Sequence, residues 1–405
     1  MKKNIKITPS KLSGTVHVPA SKSISHRALI CAALANGTSV IDNLLECDDT
    51  DATIGILSAM GAKIHKDGTK TIVNGITAAN KEIKADCFES GSTLRFLIPV
   101  AAALGCSSEF TGRAKLPQRP ITPYFTELAK NGIVFETKEM PYRFSGQLKA
   151  GIYTIAGDIS SQFISGLLFA LPLLEGDSEI VITSPLQSKA YADMTIATLK
   201  EFGVTVRETE YGYVVPGNQE YKSIETSIEA DMSQAAFYVV ANAIGSDVTI
   251  EGLNKNSLQG DRAILDIVSS ANGNAFDVDA SQIPDLVPIL TVLAAFSKGT
   301  SHITNCGRLR LKESDRLAVI TSELNKLGAD IIEGTDCLTI NGVGSLHGGT
   351  CESHVDHRIP MSLAIASTRA TEPVIINGVE CVSKSYPRFF EDFEALGGKA
   401  DVIND

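Results

Sequence analysis

The chain has 405 residues, of which 43% are hydrophobic and 20% charged, and its formal net charge at pH 7 is −11. A chain of this length is too long to fold around one ordinary hydrophobic core, so we predict two domains or a repeat assembly. The acidic balance disfavours nonspecific binding to nucleic acid or to membrane surfaces, because both depend on basic patches.

The cysteines and the apolar runs narrow the class of protein further. The eight cysteines include no C-x-x-C pair, so the sequence predicts neither a zinc site nor a disulfide framework and favours a reducing cytoplasm. No stretch reaches the roughly 18 uninterrupted apolar residues of a membrane helix, and no apolar segment follows the N-terminal lysines as in a signal peptide. We therefore expect a cytoplasmic protein that binds neither membranes nor nucleic acid.

In chain order, the sequence repeats one phrase six times: the end of an amphipathic helix, a glycine and a β-type run. The six glycines are Gly61, Gly132, Gly203, Gly273, Gly328 and Gly397. Glycine just past a helix is a common left-handed C-cap. Because the steps between these glycines are 71, 71, 70, 55 and 69 residues, we interpret them as the mark of an internal repeat.

Each repeat also contains an earlier helix that is apolar almost all round, which is typical of a buried helix. These inner helices are predicted at 27–35, 94–104, 163–174, 235–244, 286–297 and 359–368. The second helix of each repeat, such as "ESDRLAVITSELNKLG", has a polar face and is predicted to lie outside. With the strand-like runs between them, the pattern is β-α-β-α-β-β, six times. The first inner helix begins near residue 23, which leaves the N-terminal strand without a place in the first repeat. We therefore assign residues 1–15 together with 228–405 to one domain and residues 16–227 to the other.

Cations lie close to the N-termini of several inner helices, notably Lys22, Arg27, Arg95 and Arg358. Serine, aspartate or glutamine at such positions can simply be an N-cap. A cation there opposes the helix dipole, and therefore indicates a phosphate or carboxylate bound at the helix end. The chain has no P-loop, no H-x-x-x-H spacing and no G-x-S-x-G motif. We expect an anion site with carboxylates beside it and with neither metal nor cofactor.

Eight motifs along essentially the whole chain identify a family resemblance. They are "PASKSISHR", "SGSTLR", "LPQRPI", "SSQFISGLLF", "IPDLVPILTVLAAF", "LRLKESDRL", "DHRIPMSLAIA" and "SKSYPRFF". In this order they resemble the 5-enolpyruvylshikimate-3-phosphate synthase family. The resemblance implies a two-domain inside-out α/β barrel with buried helices and an active site in the interdomain cleft. It also implies transfer of the enolpyruvyl group of phosphoenolpyruvate to the 5-hydroxyl of shikimate 3-phosphate, releasing phosphate in aromatic amino acid biosynthesis, by a monomer.

The resemblance also implies roles for particular residues. Lys22 would contact phosphoenolpyruvate, whereas Ser23 and Arg27 would contact the shikimate. The other phosphoenolpyruvate ligands would be Gly91, Arg119, Arg316, Arg358 and Lys384. The shikimate phosphate would be held by Ser160, Ser161 and Ser188, with Tyr191 and Lys312 lining the shikimate pocket and Gln162 between the substrates. Glu89 and Arg308 replace asparagines that the family commonly has at these positions.

The reaction requires two proton movements, which suit two carboxylates in opposite protonation states. We predict Asp285 as the base for the 5-hydroxyl, where it also contacts substrate, and Glu313 as the group that protonates C3 of phosphoenolpyruvate. Asp285 could instead serve as an N-cap behind Pro284. Lys22 and Lys384 would neutralise charge on the leaving phosphate, with His357 as a hydrogen-bonding neighbour. Gly91 further predicts sensitivity to glyphosate, a phosphonate that competes with phosphoenolpyruvate in this family.

Two alternative functions remain open from the sequence. The sister enzymes that act on UDP-N-acetylglucosamine usually have asparagine after the motif lysine and a reactive cysteine near the second repeat, whereas this chain has Ser23 and no cysteine in "GRAKLPQRPI". A noncatalytic, clamp-like repeat protein would need a basic inner face and no convergent acids. Asp285 and Glu313 among the cations favour the shikimate enzyme over both.

Overall fold

The computed structural model describes residues 3–403, which form two compact units of mixed α/β structure. We call the part from Ala20 to Glu229 the central unit. The split unit comprises the described residues up to Pro19 and those from Ala230 to residue 403. None of the helices between residues 3 and 403 combines the length and the apolar character needed to cross a membrane.

The strands are short and belong to several small sheets. The split unit opens with β1 (Asn4–Thr8) and β2 (Ser13–His17). The central unit contains β3 (Ala35–Asn36), β4 (Thr38–Asp42), β5 (Lys63–Asp67), β6 (Lys70–Asn74), β7 (Glu82–Asp86), β8 (Ser107–Thr111), β9 (Ile133–Phe135), β10 (Tyr142–Gly146), β11 (Ile152–Ile155), β12 (Ser178–Ile182), β13 (Arg207–Thr209), β14 (Gly212–Val215), β15 (Tyr221–Lys222) and β16 (Glu225–Ser227). The split unit continues with β17 (Asp247–Glu251), β18 (Asp277–Asp279), β19 (Thr300–Thr304), β20 (Asp330–Glu333), β21 (Cys337–Asn341), β22 (Gly349–Glu352), β23 (Val374–Asn377) and β24 (Lys399–Ile403).

Each unit has six α-helices among the described residues, alternating between inner and outer. In the central unit they are α1 (Lys22–Leu34), α2 (Asp48–Met60), α3 (Gly91–Ala103), α4 (Thr122–Lys130), α5 (Ser161–Ala170) and α6 (Lys189–Glu201). In the split unit they are α7 (Met232–Ala243), α8 (Ala263–Ala271), α9 (Val287–Phe296), α10 (Arg316–Lys326), α11 (Arg358–Ser367) and α12 (Phe389–Ala395).

The burial of the helices confirms the prediction of inner and outer members. Nine of the ten residues of α9 are buried, whereas only Ile264 and Ala271 are buried among the nine residues of α8. A helix that is apolar on all faces is stable only where it is enclosed, so the inner helices form the core of each unit. The glycines after the outer helices all have positive φ, from +79° at Gly273 to +121° at Gly61, which confirms the predicted left-handed caps.

Five four-stranded sheets share one pairing scheme, in which an edge strand pairs in parallel and the next two pairings are antiparallel. The orders are β16-β4-β6-β5, β7-β8-β10-β9, β11-β12-β14-β13, β18-β19-β21-β20 and β22-β23-β1-β24. In addition, β2 pairs in parallel with β17. The N-terminal strands β1 and β2 therefore pair with strands from the C-terminal part of the chain.

The fourth repeat departs from the β-α-β-α-β-β pattern that the sequence predicted for all six repeats. Only β18 lies between α8 and α9, whereas the four other connections from an outer helix to the next inner helix each carry three or four strands. Within residues 3–403, the hairpin that completes the four-stranded sheets has no counterpart here, and β17 pairs with β2 alone. This missing hairpin accounts for the single short step of 55 residues between Gly273 and Gly328.

Candidate active site

Arg316 lies at the centre of a buried charge cluster in the split unit, with its side chain only 2% exposed. Its Nη1 donates to Asp285 Oδ1 at 2.9 Å, its Nη2 to Glu313 Oε2 at 2.7 Å and its Nε to Asp356 Oδ2 at 2.7 Å. Ser314 Oγ also donates to Asp356 Oδ2, at 3.0 Å. Burial opposes the charge of Arg316, but the three carboxylates outweigh burial and raise the pKa of the guanidinium above its usual range. Arg316 therefore stays charged and orients all three carboxylates.

Three more cations surround two of these carboxylates. Lys312 Nζ and Arg358 Nε each lie 3.7 Å from Asp285 Oδ1, and Lys384 Nζ lies 4.0 Å from Glu313 Oε1. These separations exceed hydrogen-bonding distance, so the contacts are electrostatic. The structure thus brings together the six residues that the sequence assigned in this unit. We call Asp285, Lys312, Glu313, Arg316, Asp356, Arg358 and Lys384 the acid–base cluster.

Chain connectivity explains why these residues meet. Glu313 lies just before Arg316, the first residue of α10, and the N-cap Asp315 accepts from Ala318 N at 3.1 Å. Asp285 lies in the 3-10 turn that leads into the inner helix α9. Because these helix ends and the start of α11 converge within one unit, short polar side chains from separate repeats can share one buried guanidinium.

Burial changes the protonation of two neighbouring groups. Burial lowers the pKa of Lys312 to about 8, although Asp285 partly opposes this. Burial, and then the charge of Asp285, raises the pKa of Asp261, whose carboxylate accepts a hydrogen bond from Ser233 Oγ. Asp261 therefore takes up a proton more readily than an exposed carboxyl does, which limits the negative charge around Asp285. The sequence reasoning assigned no role to Asp261.

In the central unit, Lys22 forms a partly buried ion pair at the start of α1. Its Nζ lies 3.0 Å from Asp49 Oδ2, and the two side chains are 17% and 7% exposed. The N-cap of α1 is Ser21, which accepts from Ile24 N at 3.4 Å. Since Ser21 satisfies the cap, Ser23 is not needed for capping and is available for another role.

Arg27 is buried and its donors bond to groups within the central unit. Nη1 donates to the Ser23 carbonyl at 2.6 Å, Nη2 to the Tyr191 carbonyl at 2.7 Å and Nε to Thr195 Oγ1 at 2.9 Å. Burial lowers the pKa of Arg27 to about 10, which leaves it charged at neutral pH. Arg27 therefore holds Ser23 and Tyr191, two predicted site residues, in fixed relation.

A second polar network joins the N-termini of α3 and α5. Arg95 Nη1 donates to Gln162 Oε1 at 2.7 Å, and Gln162 Nε2 donates to Ser92 Oγ at 2.9 Å. Beside this network, a Cβ built on Gly91 would lie 2.6–2.8 Å from the guanidinium atoms of Arg119. Gly91 and Arg119 therefore lie close together, beside the hydrogen bonds that Gln162 makes between the two helix starts.

The three predicted serines all lie at helix starts. Ser160 is the N-cap of α5 and accepts from Gln162 N at 3.3 Å, while Ser161 is the first residue of that helix. Ser188 precedes α6 with φ +54° and is 2% exposed. An αL conformation is unfavourable for serine, which is typical of a position held for function.

Sequence reasoning did not assign Asp49 or Asp356 to the site. Each lies at the start of a helix, where an acidic residue is ordinarily explained by the helix dipole. Asp49 pairs with a lysine 27 positions away and Asp356 with an arginine 40 positions away. The charge of Lys22 was a signal that a carboxylate lay nearby, but nothing in the spacing identified which one.

Comparison with known proteins agrees with the family resemblance of the sequence motifs. Residues 7–393 match the family model described as EPSP synthase (3-phosphoshikimate 1-carboxyvinyltransferase). The 3-phosphoshikimate 1-carboxyvinyltransferase of Clostridium kluyveri is 47% identical over 98% of each chain, and that of Clostridioides difficile is 46% identical over 99% of each. A solved EPSP synthase structure from Acinetobacter baumannii is 26% identical, covers 99% of this chain and all of its own, and has a TM-score of 0.84. The enolpyruvyl transferase NikO from Streptomyces tendae, 16% identical with a TM-score of 0.79, shares the fold.

Proposed function

The chain belongs to the EPSP synthase family, and we propose that the acid–base cluster of its split unit performs the two proton transfers of the reaction. The enzyme transfers the enolpyruvyl group of phosphoenolpyruvate to the 5-hydroxyl of shikimate 3-phosphate in the shikimate pathway. The observation that carries the residue assignment is the pairing of Asp285 and Glu313 with one buried arginine, Arg316.

The proposed mechanism moves one proton at each carboxyl. Asp285 takes the proton of the 5-hydroxyl while the hydroxyl oxygen bonds to C2 of phosphoenolpyruvate. Glu313, which must first take up a proton from solvent, gives that proton to C3. The resulting tetrahedral intermediate loses phosphate, and C3 returns a proton to Glu313 as the enol double bond forms again. Lys22 and Lys384 offset the charge on the departing phosphate, which accepts the proton held by Asp285.

Substrate contacts are proposed separately for each unit. In the split unit, the proposed phosphoenolpyruvate ligands are Arg316, Arg358 and Lys384, whose positive charges attract carboxylate and phosphate, and the proposed shikimate 3-phosphate ligand is Lys312. In the central unit, the proposed phosphoenolpyruvate ligands are Lys22, Gly91 and Arg119, and the proposed shikimate 3-phosphate ligands are Ser23, Arg27, Ser160, Ser161, Gln162, Ser188 and Tyr191.

We also propose that the enzyme is a cytoplasmic monomer that needs no metal or cofactor.

The proposal is tested by phosphate release as a function of pH. Release should require shikimate 3-phosphate as the acceptor and should not occur with UDP-N-acetylglucosamine. Because the pKa of Lys312 is about 8, the ammonium is present below that pH and is lost above it. KM for shikimate 3-phosphate should therefore rise about 10-fold between pH 7 and pH 9, where about a tenth of the free enzyme keeps that proton.

A Lys312→Arg variant is the matched control, since arginine stays charged over this whole range. Its KM for shikimate 3-phosphate should be nearly flat between pH 7 and pH 9. The same rise in both enzymes would remove Lys312 from the substrate site.

Gly91→Ala should weaken inhibition by glyphosate about 10-fold more than it raises KM for phosphoenolpyruvate, the discrimination that one extra carbon can give. The added methyl meets the Arg119 guanidinium at 2.6–2.8 Å, so Arg119 must shift and space beside it is lost. An inhibitor longer than the substrate suffers more from this loss. The measurement is inhibition against phosphoenolpyruvate for both enzymes.

Gly55→Ala provides the control for the glyphosate experiment. Gly55 lies within α2, and a Cβ there meets nothing within 4 Å. This variant should keep the inhibition of the parent enzyme. Equal glyphosate potency in Gly91→Ala and in the parent would mean that Gly91 does not line the phosphoenolpyruvate site.

A further inference from the structure

The turn between β22 and α11 has an unusual backbone conformation. His354 has φ +51° and the next residue, Val355, has φ +59°. Left-handed backbone is unfavourable for any residue with a side chain, and especially so for a β-branched one such as valine. Val355 is 58% exposed, so its own packing does not account for the conformation. Contacts elsewhere must hold the turn.

One of those contacts is with Glu323, a buried carboxylate on α10. Its side chain is 1% exposed, and its Oε1 lies 2.9 Å from His354 Nε2. Its Oε2 accepts from Glu352 N at 3.0 Å, and Lys326 Nζ reaches both oxygens at 2.8 Å. Burial raises the pKa of Glu323, but these donors together lower it below its usual range. The ionised carboxylate only accepts, so His354 Nε2 is the donor.

The other end of the turn is tied to the same helix. Asp356, two residues after His354, accepts from Arg316 Nε at 2.7 Å, and its Oδ1 accepts from Arg358 N at 3.1 Å. Arg316 and Glu323 are seven residues apart on α10, which places them on one face about 10.5 Å apart along the axis. Helix α10 thus grips the turn at two points, and the turn leads directly into Arg358.

We propose that His354 and Glu323 are positioning residues for the acid–base cluster. Their pair holds the left-handed turn, so that Asp356 meets Arg316 and α11 begins with Arg358 in place. Neither residue contacts substrate in this proposal. Without the pair, other backbone conformations of the turn become populated, and the fraction of enzyme competent to bind phosphoenolpyruvate falls. The inference rests on the proposed binding of phosphoenolpyruvate by Arg316 and Arg358.

The test is steady-state kinetics of His354→Ala. Because the side chain of His354 is exposed, its removal should leave the protein folded. KM for phosphoenolpyruvate should rise about 10-fold, the lower end of what a hydrogen bond to a charged group contributes. KM for shikimate 3-phosphate and kcat should stay within about threefold, since the reacting carboxylates are retained. His354→Gln, whose amide can donate to Glu323, should restore KM to within about twofold of the parent. An unchanged KM for phosphoenolpyruvate in His354→Ala would overturn the proposal.

Two further variants separate this inference from the proposed function. His302→Ala removes a histidine that also pairs with a carboxylate, Asp277, at 2.8 Å, and should leave all constants unchanged. Arg358→Lys should raise KM for phosphoenolpyruvate. If it does not, the assignment of Arg358 to that substrate is wrong. If it does while His354→Ala has no effect, only the positioning role fails.

Amide hydrogen exchange gives a readout that does not depend on catalysis. In the unliganded enzyme, the peptide spanning residues 352–360 should exchange faster in His354→Ala than in the parent and recover in His354→Gln. Equal exchange in all three proteins would show that the pair does not hold the turn, whatever the kinetics of Arg358→Lys.

Discussion

Replacing Asp285 by asparagine is expected to lower kcat by roughly 100- to 10,000-fold, the usual contribution of a general base. KM for both substrates should change by less than about threefold. The amide keeps the shape of the side chain, and its oxygen can still accept from Arg316 Nη1, which donates to Asp285 at 2.9 Å. The amide cannot take up the proton of the 5-hydroxyl, so the loss falls on the chemical step.

Asp277→Asn is the control for this experiment. Asp277 is a carboxylate of the same unit, but it is 79% exposed and pairs with His302 on the neighbouring strand. Its replacement should leave kcat unchanged. A decrease of less than 10-fold in Asp285→Asn would mean that Asp285 serves the structure of the cluster and is not the base.

The second large effect concerns stability. Arg316→Met should lower the free energy of unfolding by about 3–5 kcal/mol, the typical cost of removing one partner from a buried ion pair. The methionine leaves Asp285, Glu313 and Asp356 close together without the guanidinium that bonds to all three. The measurement is denaturant unfolding followed by circular dichroism, with the midpoint and slope compared to those of the parent.

Arg310→Met is the control for this experiment. Like Arg316, Arg310 pairs with more than one carboxylate, in this case those of Asp315 and Glu333. Its side chain is 28% exposed, against 2% for Arg316. Water therefore screens the remaining charges, and the loss should be about 1 kcal/mol or less. Equal losses in the two variants would contradict the view that burial makes Arg316 essential to the cluster.

The expected effects of Asp285→Asn on kcat and of Arg316→Met on stability bear on why the split unit has so many buried charges. A buried ion cluster is weak evidence for stability, because desolvation offsets most of the attraction between its members. In the proposed function, the arrangement provides carboxylates that are oriented before substrate arrives, with cations nearby to bind phosphate and carboxylate groups. The proposed chemistry, rather than stability, would then account for the cluster.

Several features of this protein were determined by local sequence. The inner helices follow from composition, because a helix such as α9 that is apolar on every face has to be enclosed. The positive φ of the glycines follows from their place after each outer helix. The short step from Gly273 to Gly328, 55 residues against 69 to 71 for the others, was present in the sequence, but the pattern still predicted six equal repeats, and only the structure showed that the fourth lacks a hairpin.

Other features were decided only by tertiary structure, and they concern which side chains pair. The pairs Lys22–Asp49, Arg316–Asp356 and Glu323–His354 join residues 27 to 40 positions apart on different helices or turns. A periodic pattern states which face of a helix is buried, but the partner of a charged group depends on how neighbouring helices are placed in the core. The strained turn at His354 and Val355 has the same origin. Its conformation is unfavourable locally and exists because α10 binds it at both ends, so no local property of those residues predicts it.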